Sequence, residues 1–426
     1  MVGHSDFEAL EAIFEHIAET VADEEDGQSA RDIFREWIGT DGGEITVLDS
    51  PEVYRRSESE LVQYRGRFDS WYGIDASTVR PQDFQNGLIT SAATAICAML
   101  GDGDTAIEAE RSIVGAVYCD IDGVEFSEQE LQAGDVMVEL ETVRATVSPR
   151  ELRRWVGATA RVPAECRHSE RVADRIDGPL FLDGSLYPMS VLPNVQFARA
   201  INQQRSTSQL VETEQLGTAA KAIQSRVNAI GTLMERDLPV VGIVKTISTS
   251  RVVDALRQKV RTSENPPLLP WAEDSQFLAD VLYHDEPRQF SFTSWLVRTH
   301  RDPGARGEQV EPLGGFDIPA GYEPADFRRA FFFVRLPRGI VFRVEAPYGQ
   351  VDTPSKRAEM QMFALGAIAE ANGAPMVVDR ADELARVPND VRDYLTDVLD
   401  ITEPVQDYNR DERFDFDFDS NDTHYA

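Results

Sequence analysis

Lysine and cysteine are scarce in this chain, and each shortage excludes a class of site. The four lysines among the 426 residues are Lys221, Lys245, Lys259 and Lys356. None of them follows a glycine, so the sequence has no P-loop for nucleotide phosphates, and any ATP-driven motion must come from a partner. The three cysteines form no CxxC pair, which is typical of reduced thiols in a cytosolic protein.

Zinc-binding histidine patterns and long apolar runs are also missing. The six histidines show no HExxH motif or related zinc spacing. No stretch reaches 18 apolar residues, and the chain does not open with a basic segment followed by an apolar run. We therefore expect a cytoplasmic protein without membrane association.

Acidic residues are abundant instead. Asp and Glu number 74 against 42 Lys and Arg, which gives a net charge of −32. A hydrophobic content of 42% is ample for a folded core, so the chain is not a disordered polyanion. An acid-rich, lysine-poor composition predicts a halophilic protein, because molar salt screens charge repulsion beyond ~3 Å. In such salt the net charge does not exclude nucleic acid, whose binding would depend on metal bridging and local arginine clusters.

Two apolar segments end in the same pattern of an aspartate, a small residue and a serine. Residues 71–77 contain Asp75, and residues 179–186 contain Asp183. Each segment predicts a buried strand followed by a sharp turn, which would hold its carboxylate at the edge of a sheet. Two such carboxylates brought together could hold divalent metal ions for phosphate chemistry. The alternative for each aspartate alone is a turn carboxylate that accepts backbone N–H hydrogen bonds.

A metal site of this kind needs a third acid. Glu165 and Glu170 are the candidates, on a helix that we predict to begin at Pro163 and to end before residue 177. Glu165 would lie in the first turn, where capping the helix dipole is an equally good explanation. Glu139 and Glu141, on a predicted strand, are weaker candidates.

Lys245 is a further candidate, because it ends a predicted buried strand. It could contact a phosphate or the charge that develops during cleavage, or it could simply extend from the strand end to solvent.

Predicted strands alternate with predicted helices, so the fold class is α/β, and hairpins make the sheet mixed. We predict strands at 71–75, 103–147 with an acidic loop between them, 179–183, 238–245, 330–336, 340–345 and 375–378. We predict helices at 6–22, 84–100, 163–177, 217–237 and 353–371. The organisation that follows is a helical N-terminal region (1–65), a main domain (66–400) with a loop-rich insertion (262–325), and an acidic, disordered tail (401–426).

Taken in order, these motifs resemble the NurA nucleases, in their haloarchaeal type. The matching segments are 73–77, the helix that bears glutamate, 180–186, 241–246 and 342–347. The resemblance spans residues 70–400, and the sequence Leu-Asp-Gly-Ser-Leu at 182–186 is its most specific part. It implies an RNase H-like mixed sheet flanked by helices, with insertions. By motif position it places the catalytic and metal-binding acids on Asp75, Glu165 and Asp183.

The same resemblance implies an activity and its partners. NurA enzymes are homodimers that use Mn²⁺ or Mg²⁺ and cleave DNA as 5′-to-3′ exonucleases and single-strand endonucleases during end resection at double-strand breaks. They work docked on the hexameric HerA ATPase. We therefore expect single-stranded DNA and duplex ends as substrates, a HerA-type ATPase as partner, and a homodimer.

The chain departs from the family pattern near its C-terminus. The family often has a tyrosine and a histidine where this sequence has Ala374 and Asp382. Aspartate can replace histidine as a ligand of a hard cation, so Asp382 could be a fourth metal ligand. It cannot donate a hydrogen bond at neutral pH, as the ring can. The departure supports one alternative to the DNA nuclease, a catalytically degenerate scaffold that binds the helicase or DNA ends. Another alternative is an RNase H-like nuclease that acts on RNA, because nothing in the sequence indicates whether a 2′-hydroxyl is recognised.

Overall fold

The computed structural model describes residues 11, 13–16, 29–39, 44–66, 68–101, 111–119, 129–133, 136–143, 149–188, 217–261, 263–298, 300–301, 309–310, 313 and 315–387. The helices are α1 (Ala30–Trp37), α2 (Glu58–Leu61), α3 (Pro149–Val172), α4 (Gly217–Glu235), α5 (Arg251–Val260), α6 (Asp274–Val281), α7 (Pro354–Ala371) and α8 (Met376–Ala385). The first nine strands are β1 (Ile45–Val47), β2 (Val53–Ser57), β3 (Trp71–Asp83), β4 (Ile89–Leu100), β5 (Arg111–Tyr118), β6 (Gln129–Ala133), β7 (Val136–Thr142), β8 (Leu180–Asp183) and β9 (Val240–Val244). The others are β10 (Gln289–Thr293), β11 (Leu296–Arg298), β12 (His300–Arg301), β13 (Gln309–Val310), β14 (Arg329–Arg335) and β15 (Val341–Pro347).

One mixed sheet organises the described part of the chain. Its strand order is β1-β11-β14-β15-β9-β8-β3-β4-β5-β7-β6, and β10 joins β14 to β2. At the centre, β3, β4 and β5 form an antiparallel meander, while β8 and β9 continue parallel to β3. The α/β class with a mixed sheet flanked by helices is confirmed. The RNase H-like assignment stays a prediction.

Helices cover both faces of the sheet. Leu180 and Leu182 of β8 belong to a buried cluster with residues of α4, whereas Phe181 between them belongs to a cluster with residues of α7 and α8. This alternation is the period of two that a strand imposes on its side chains. Helix α3 covers the meander, where its apolar residues pack on the alanines of β3, β4 and β5. None of the described helices combines the length and apolar character needed to cross a bilayer.

The start of α8 lies directly on β3. A Cβ atom on Gly73 would come within 2.4 Å of the Val377 carbonyl oxygen, so only glycine fits at this strand position. This close approach sets the first turn of α8 beside the strand that carries Asp75.

Three predicted elements were wrong in type or extent. The predicted helix at 84–100 is mostly strand β4, because residues 95–98 are buried on both faces and this stretch lacks the polar alternation that identifies strands. The predicted strand at 375–378 begins α8, where Pro375 is the residue before the helix. Helix α3 begins at Pro149 instead of Pro163, and Pro163 lies inside it. Glu165 is therefore not a helix-capping residue.

The extent of β3 is a fourth correction. The strand continues through Asp75 to Asp83, so no turn follows Asp75. The N-terminal region contains strands β1 and β2, and residues 262–325 contain α6, β10 and β11. These short strands pair with one another and with β14, so both regions complete the main sheet. Residues 401–426 and most of 6–22 lie outside the described residues.

Several predicted elements are confirmed. The hairpin β14–β15 turns around Gly339, which has a φ of 93°. Helix α7 starts at Pro354, and the Thr353 side chain accepts a hydrogen bond from the Lys356 amide. Helix α4 and strands β8 and β9 also occur where the sequence predicts them.

Candidate functional site

Asp75 and Asp183 lie side by side on neighbouring parallel strands. Ile74 of β3 pairs with Leu182 of β8, so the next residue on each strand is an aspartate. Neighbouring strands are about 4.8 Å apart, and residues in register point to the same face. Asp183 ends β8, and Gly184 after it has a φ of 123°, which lets the chain turn away.

Asp75 is a buried carboxylate with negative neighbours. The residue is 3% exposed. The pKa of this carboxyl is raised to about 7, first by burial and then by the charge of Glu165, with a smaller contribution from Asp183. The Arg161 guanidinium, 3.5 Å from the Asp75 carboxylate, opposes the shift. The three acids of the sequence prediction therefore interact electrostatically.

Helix α3 directs its two candidate glutamates to different places. Glu165 acts on Asp75 and accepts a hydrogen bond from Arg226, a buried residue of α4. Glu170, more than one turn later, accepts a hydrogen bond from Asn228 at 2.6 Å. Of these two acids, the structure brings Glu165 into the electrostatic neighbourhood of Asp75.

Glu139 and Glu141 belong to a separate ionic network. Both accept hydrogen bonds from Arg167 of α3, and Glu139 accepts a second one from Arg171. Glu141 also accepts a hydrogen bond of 2.7 Å from Thr218 of α4. These two glutamates tie β7 to both helices, which is a structural role.

Lys245 contacts the second aspartate. Its Nζ lies 2.8 Å from the Asp183 carboxylate, directly after the end of β9. A third acid, Asp379 of α8, lies within electrostatic range of this pair. Burial raises the pKa of Asp379, Lys245 lowers it, and the charge of Asp183 raises it further.

Asp382, one turn after Asp379, is oriented differently. Its side chain is 48% exposed and pairs with Arg386 at 3.3 Å. Ala374, where the family has tyrosine, is buried in the apolar cluster under α7 and α8. On α8 it is Asp379 whose pKa responds to Lys245 and Asp183.

A buried glutamate holds the turn that follows Asp183. Glu345 of β15 accepts hydrogen bonds from the Ser185 hydroxyl at 2.8 Å and from the Leu186 amide at 2.9 Å. The Arg343 Nε donates to the same carboxylate at 2.8 Å, and Arg329 lies 3.8 Å away. Burial by itself would raise the pKa of Glu345, but the two arginines, together with the hydrogen bonds from Leu186 and Ser185, outweigh it and hold that pKa below its ordinary value.

This shift predicts how stability depends on pH. Because the folded-state pKa is lowered, ionised Glu345 contributes stability that is fully present above about pH 4.5, the ordinary value, and is lost as the pH falls through the lowered pKa. We expect Glu345→Gln to reduce the free energy of unfolding at pH 7 by about 3 kcal/mol, since it leaves two partly buried arginines without their buried counter-charge. Urea unfolding of Glu345→Gln at pH 7 and at pH 3 should also show that its free energy of unfolding falls less on acidification than that of the wild type.

The matched control for Glu345 is the exposed pair of Glu52 with Arg35, whose side chains are each 45% exposed. Glu52→Gln should change the free energy of unfolding at pH 7 by less than about 1 kcal/mol. Equal effects of the two substitutions would contradict the role assigned to Glu345.

The donor set fits a hard divalent cation in its chemistry. Carboxylate oxygens are the ligands that Mg²⁺ and Mn²⁺ prefer, and a cation would offset the burial and repulsion that raise the Asp75 pKa. In the part of the chain that the structure describes, no group of three or more His, Cys, Asp or Glu side chains is placed to hold a metal ion. Each acid instead contacts its own cation: Asp75 with Arg161, Glu165 with Arg226, and Asp183 with Lys245.

Sequence reasoning missed four residues of this site. Arg161 and Arg226 lack a local motif, because their partners are 86 and 61 positions away in the chain. Asp379 lies in α8, whose first residues were predicted as a strand at 375–378. Glu345 lies in the matching segment 342–347, but its contact with the turn after Asp183 depends on the pairing of β15 with β9.

The chain is similar to proteins of one family. A family model described as the NurA domain matches residues 125–387, more than half of the chain. No curated protein matches this sequence. The crystal structure of the NurA nuclease from Sulfolobus solfataricus aligns with 93% of this chain and 96% of its own, at 12% identity and a TM-score of 0.47. A structure of NurA bound to dAMP and manganese aligns over 95% and 98%, at 11% identity and a TM-score of 0.44.

Proposed function

We propose, because this chain belongs to the NurA domain family, that it is a divalent-metal-dependent DNA nuclease. The observation that supports this most is the neighbouring position of Asp75 and Asp183 on parallel strands, with the charge of Glu165 acting on Asp75. A buried carboxylate beside two further acids is costly for the fold, and carboxylates with pKa values raised in this way are concentrated at functional sites.

Asp75, Asp183 and Glu165 would hold the ion. When bound, a divalent ion lowers the pKa of water and stabilises charge on phosphate oxygens. Lys245 positions the Asp183 carboxylate and supplies positive charge at the mouth of the site. Glu345 fixes the turn after Asp183, and strand β8 fixes the residues before it, so the chain is held on both sides of this carboxylate. Asp379, in place of Asp382, is the acid that α8 contributes nearby.

The finer assignments follow from the family alone. They are 5′-to-3′ exonuclease and single-strand endonuclease activities, a role in end resection with a HerA-type hexameric ATPase, and a homodimer. A cytoplasmic location and adaptation to molar salt are proposed from the sequence and its composition.

Cleavage assays on the purified protein at molar KCl test the proposed function. We expect single-stranded DNA to be cut when Mn²⁺ or Mg²⁺ is present and to stay intact in EDTA. Titration calorimetry with Mn²⁺ should show saturable binding at the same metal concentrations. A protein that neither binds Mn²⁺ nor cuts DNA under any of these conditions would contradict the proposal.

One observation favours a second candidate function, a scaffold without catalysis. Each acid of the site already contacts a cationic side chain, and within the described ranges no three metal-ligating groups converge. A scaffold would bind DNA ends or the ATPase without metal-dependent heat and without cleavage products. The same two measurements therefore separate the candidates.

A further inference from the structure

A cavity of about 400 Å³ adjoins the carboxylates and continues along α3. Glu165 and Asp183 line one end of it. The remaining walls come from the N-terminal half of α3, from Thr78 and Pro81 of β3, and from the turn after β8. Its size lies in the range that holds a nucleotide-sized ligand.

The helix presents its residues to this cavity at a regular spacing. Arg153, Gly157, Arg161 and Glu165 follow one another at intervals of four, so they lie along one side of α3. Twelve residues of helix span ~18 Å. In the middle, Gly157 lets Pro81 of β3 pack close to the helix, since a Cβ atom there would lie 3.3 Å from the Pro81 Cγ, and Ala158 beside it is also small. We call this surface the α3 groove.

Arg153 and Arg161 of the α3 groove retain hydrogen-bond donors. Arg153 lies 3.6 Å from Asp83, and Arg161 lies 3.5 Å from Asp75, both at the limit of direct contact. A guanidinium has five N–H donors, so one loose ion pair leaves several for a phosphate. Arg154 is exposed beside them. In a chain with a net charge of −32, this is a local concentration of positive charge next to acids.

Trp155 adds an aromatic surface. It packs against the apolar cluster beneath α3 and also lines the cavity, so the core holds its ring at the groove. An indole held in this way can stack on an unpaired base, which an aromatic side chain does for every base type. Bases in a duplex are already stacked on one another, so this surface favours a single strand.

We propose that the α3 groove is a binding subsite for single-stranded DNA that leads the strand to Asp75, Glu165 and Asp183. The proposal deepens the proposed function and depends on it. Arg153, Arg154 and Arg161 would contact phosphates, and a base would stack on Trp155.

Fluorescence anisotropy with a labelled oligo-dT measures this binding directly. The wild-type protein is kept in EDTA so that the strand stays intact. Trp155→Ala should weaken binding roughly 5- to 150-fold, the range that stacking of one base supplies, whereas Trp155→Phe should retain most of the affinity. Arg153→Ala/Arg154→Ala should weaken binding and should reduce the slope of log K against log[KCl] by about 0.7 for each phosphate that the variant no longer neutralises.

The matched control is Arg55→Ala/Arg56→Ala, another adjacent arginine pair, on β2 and outside the cavity. Arg154→Ala alone is a second test. Because Arg154 is exposed, this variant should stay folded and should still bind oligo-dT more weakly than the wild type. If the two double variants weakened binding equally, or if duplex DNA bound as tightly as oligo-dT, the proposed role of the α3 groove would be overturned. Metal-dependent cleavage by the wild type would still support the proposed function. A wild-type protein that neither binds nor cuts DNA would overturn both proposals.

Discussion

Replacing Asp183 with asparagine is expected to slow the cleavage of single-stranded DNA by more than about 100-fold. Changes to residues that merely orient metal ligands already reduce affinity or activity by about 10- to 100-fold, so loss of a ligand charge should do more. Asparagine keeps the shape of the side chain and can still accept a hydrogen bond from Lys245, which lies 2.8 Å away. The variant should therefore remain folded.

The chain offers a close control for this substitution. Asp352 also forms an ion pair with a lysine, Lys356, at 3.0 Å, but on an exposed helix end away from the site. Asp352→Asn should leave cleavage unchanged. Calorimetry should show weakened Mn²⁺ binding for Asp183→Asn and no such weakening for Asp352→Asn. Wild-type cleavage rates in Asp183→Asn would rule out the proposed role of this carboxylate.

Removing the buried Arg226 is expected to cause the largest loss of stability. Its side chain is 1% exposed and donates to Glu165, which is 14% exposed. Breaking a buried pair by removing one partner costs about 3–5 kcal/mol, because the other charge stays buried without compensation. We expect a loss of this size in the free energy of unfolding for Arg226→Met, measured by urea denaturation at pH 7.

A double substitution separates this electrostatic cause from a packing defect. Glu165→Gln/Arg226→Met removes the orphaned charge, so it should be more stable than Arg226→Met alone. The exposed pair Arg35–Glu52 supplies the surface comparison, and Arg35→Ala should change stability by less than about 1 kcal/mol. If the double variant lost as much free energy of unfolding as Glu165→Gln and Arg226→Met lose in sum, the ion pair would not be the cause.

The elements that the sequence predicted well are those with local chemical signals. The β14–β15 hairpin has two apolar strands around a glycine, and α7 has a threonine cap before a proline. The aspartate at the end of β8 was placed correctly because a glycine follows it at once. Each signal lies within a few residues of the element it specifies, so no tertiary information was needed.

The elements that were missed depend on burial from both sides. Strand β4 is covered by helices on each face, so its alanines carry no alternation to distinguish strand from helix. The start of α8 is fixed by the close approach of Val377 to Gly73, and these two residues are about 300 positions apart in the chain. Pairings such as Arg226 with Glu165 join two helices that the sequence showed only separately.

The two aspartates differ in the kind of length change that their strands would tolerate. Asp75 lies inside β3, which pairs with β4 along most of its length. One residue inserted before Asp75 would slip that pairing and turn the carboxylate to the opposite face of the sheet. Asp183 ends its strand, and Glu345 holds the turn as far as Leu186, so extra residues beyond Leu186 would lengthen a connection without moving the carboxylate. Insertions among relatives should therefore accumulate after the turn that follows the second aspartate and be absent just before the first.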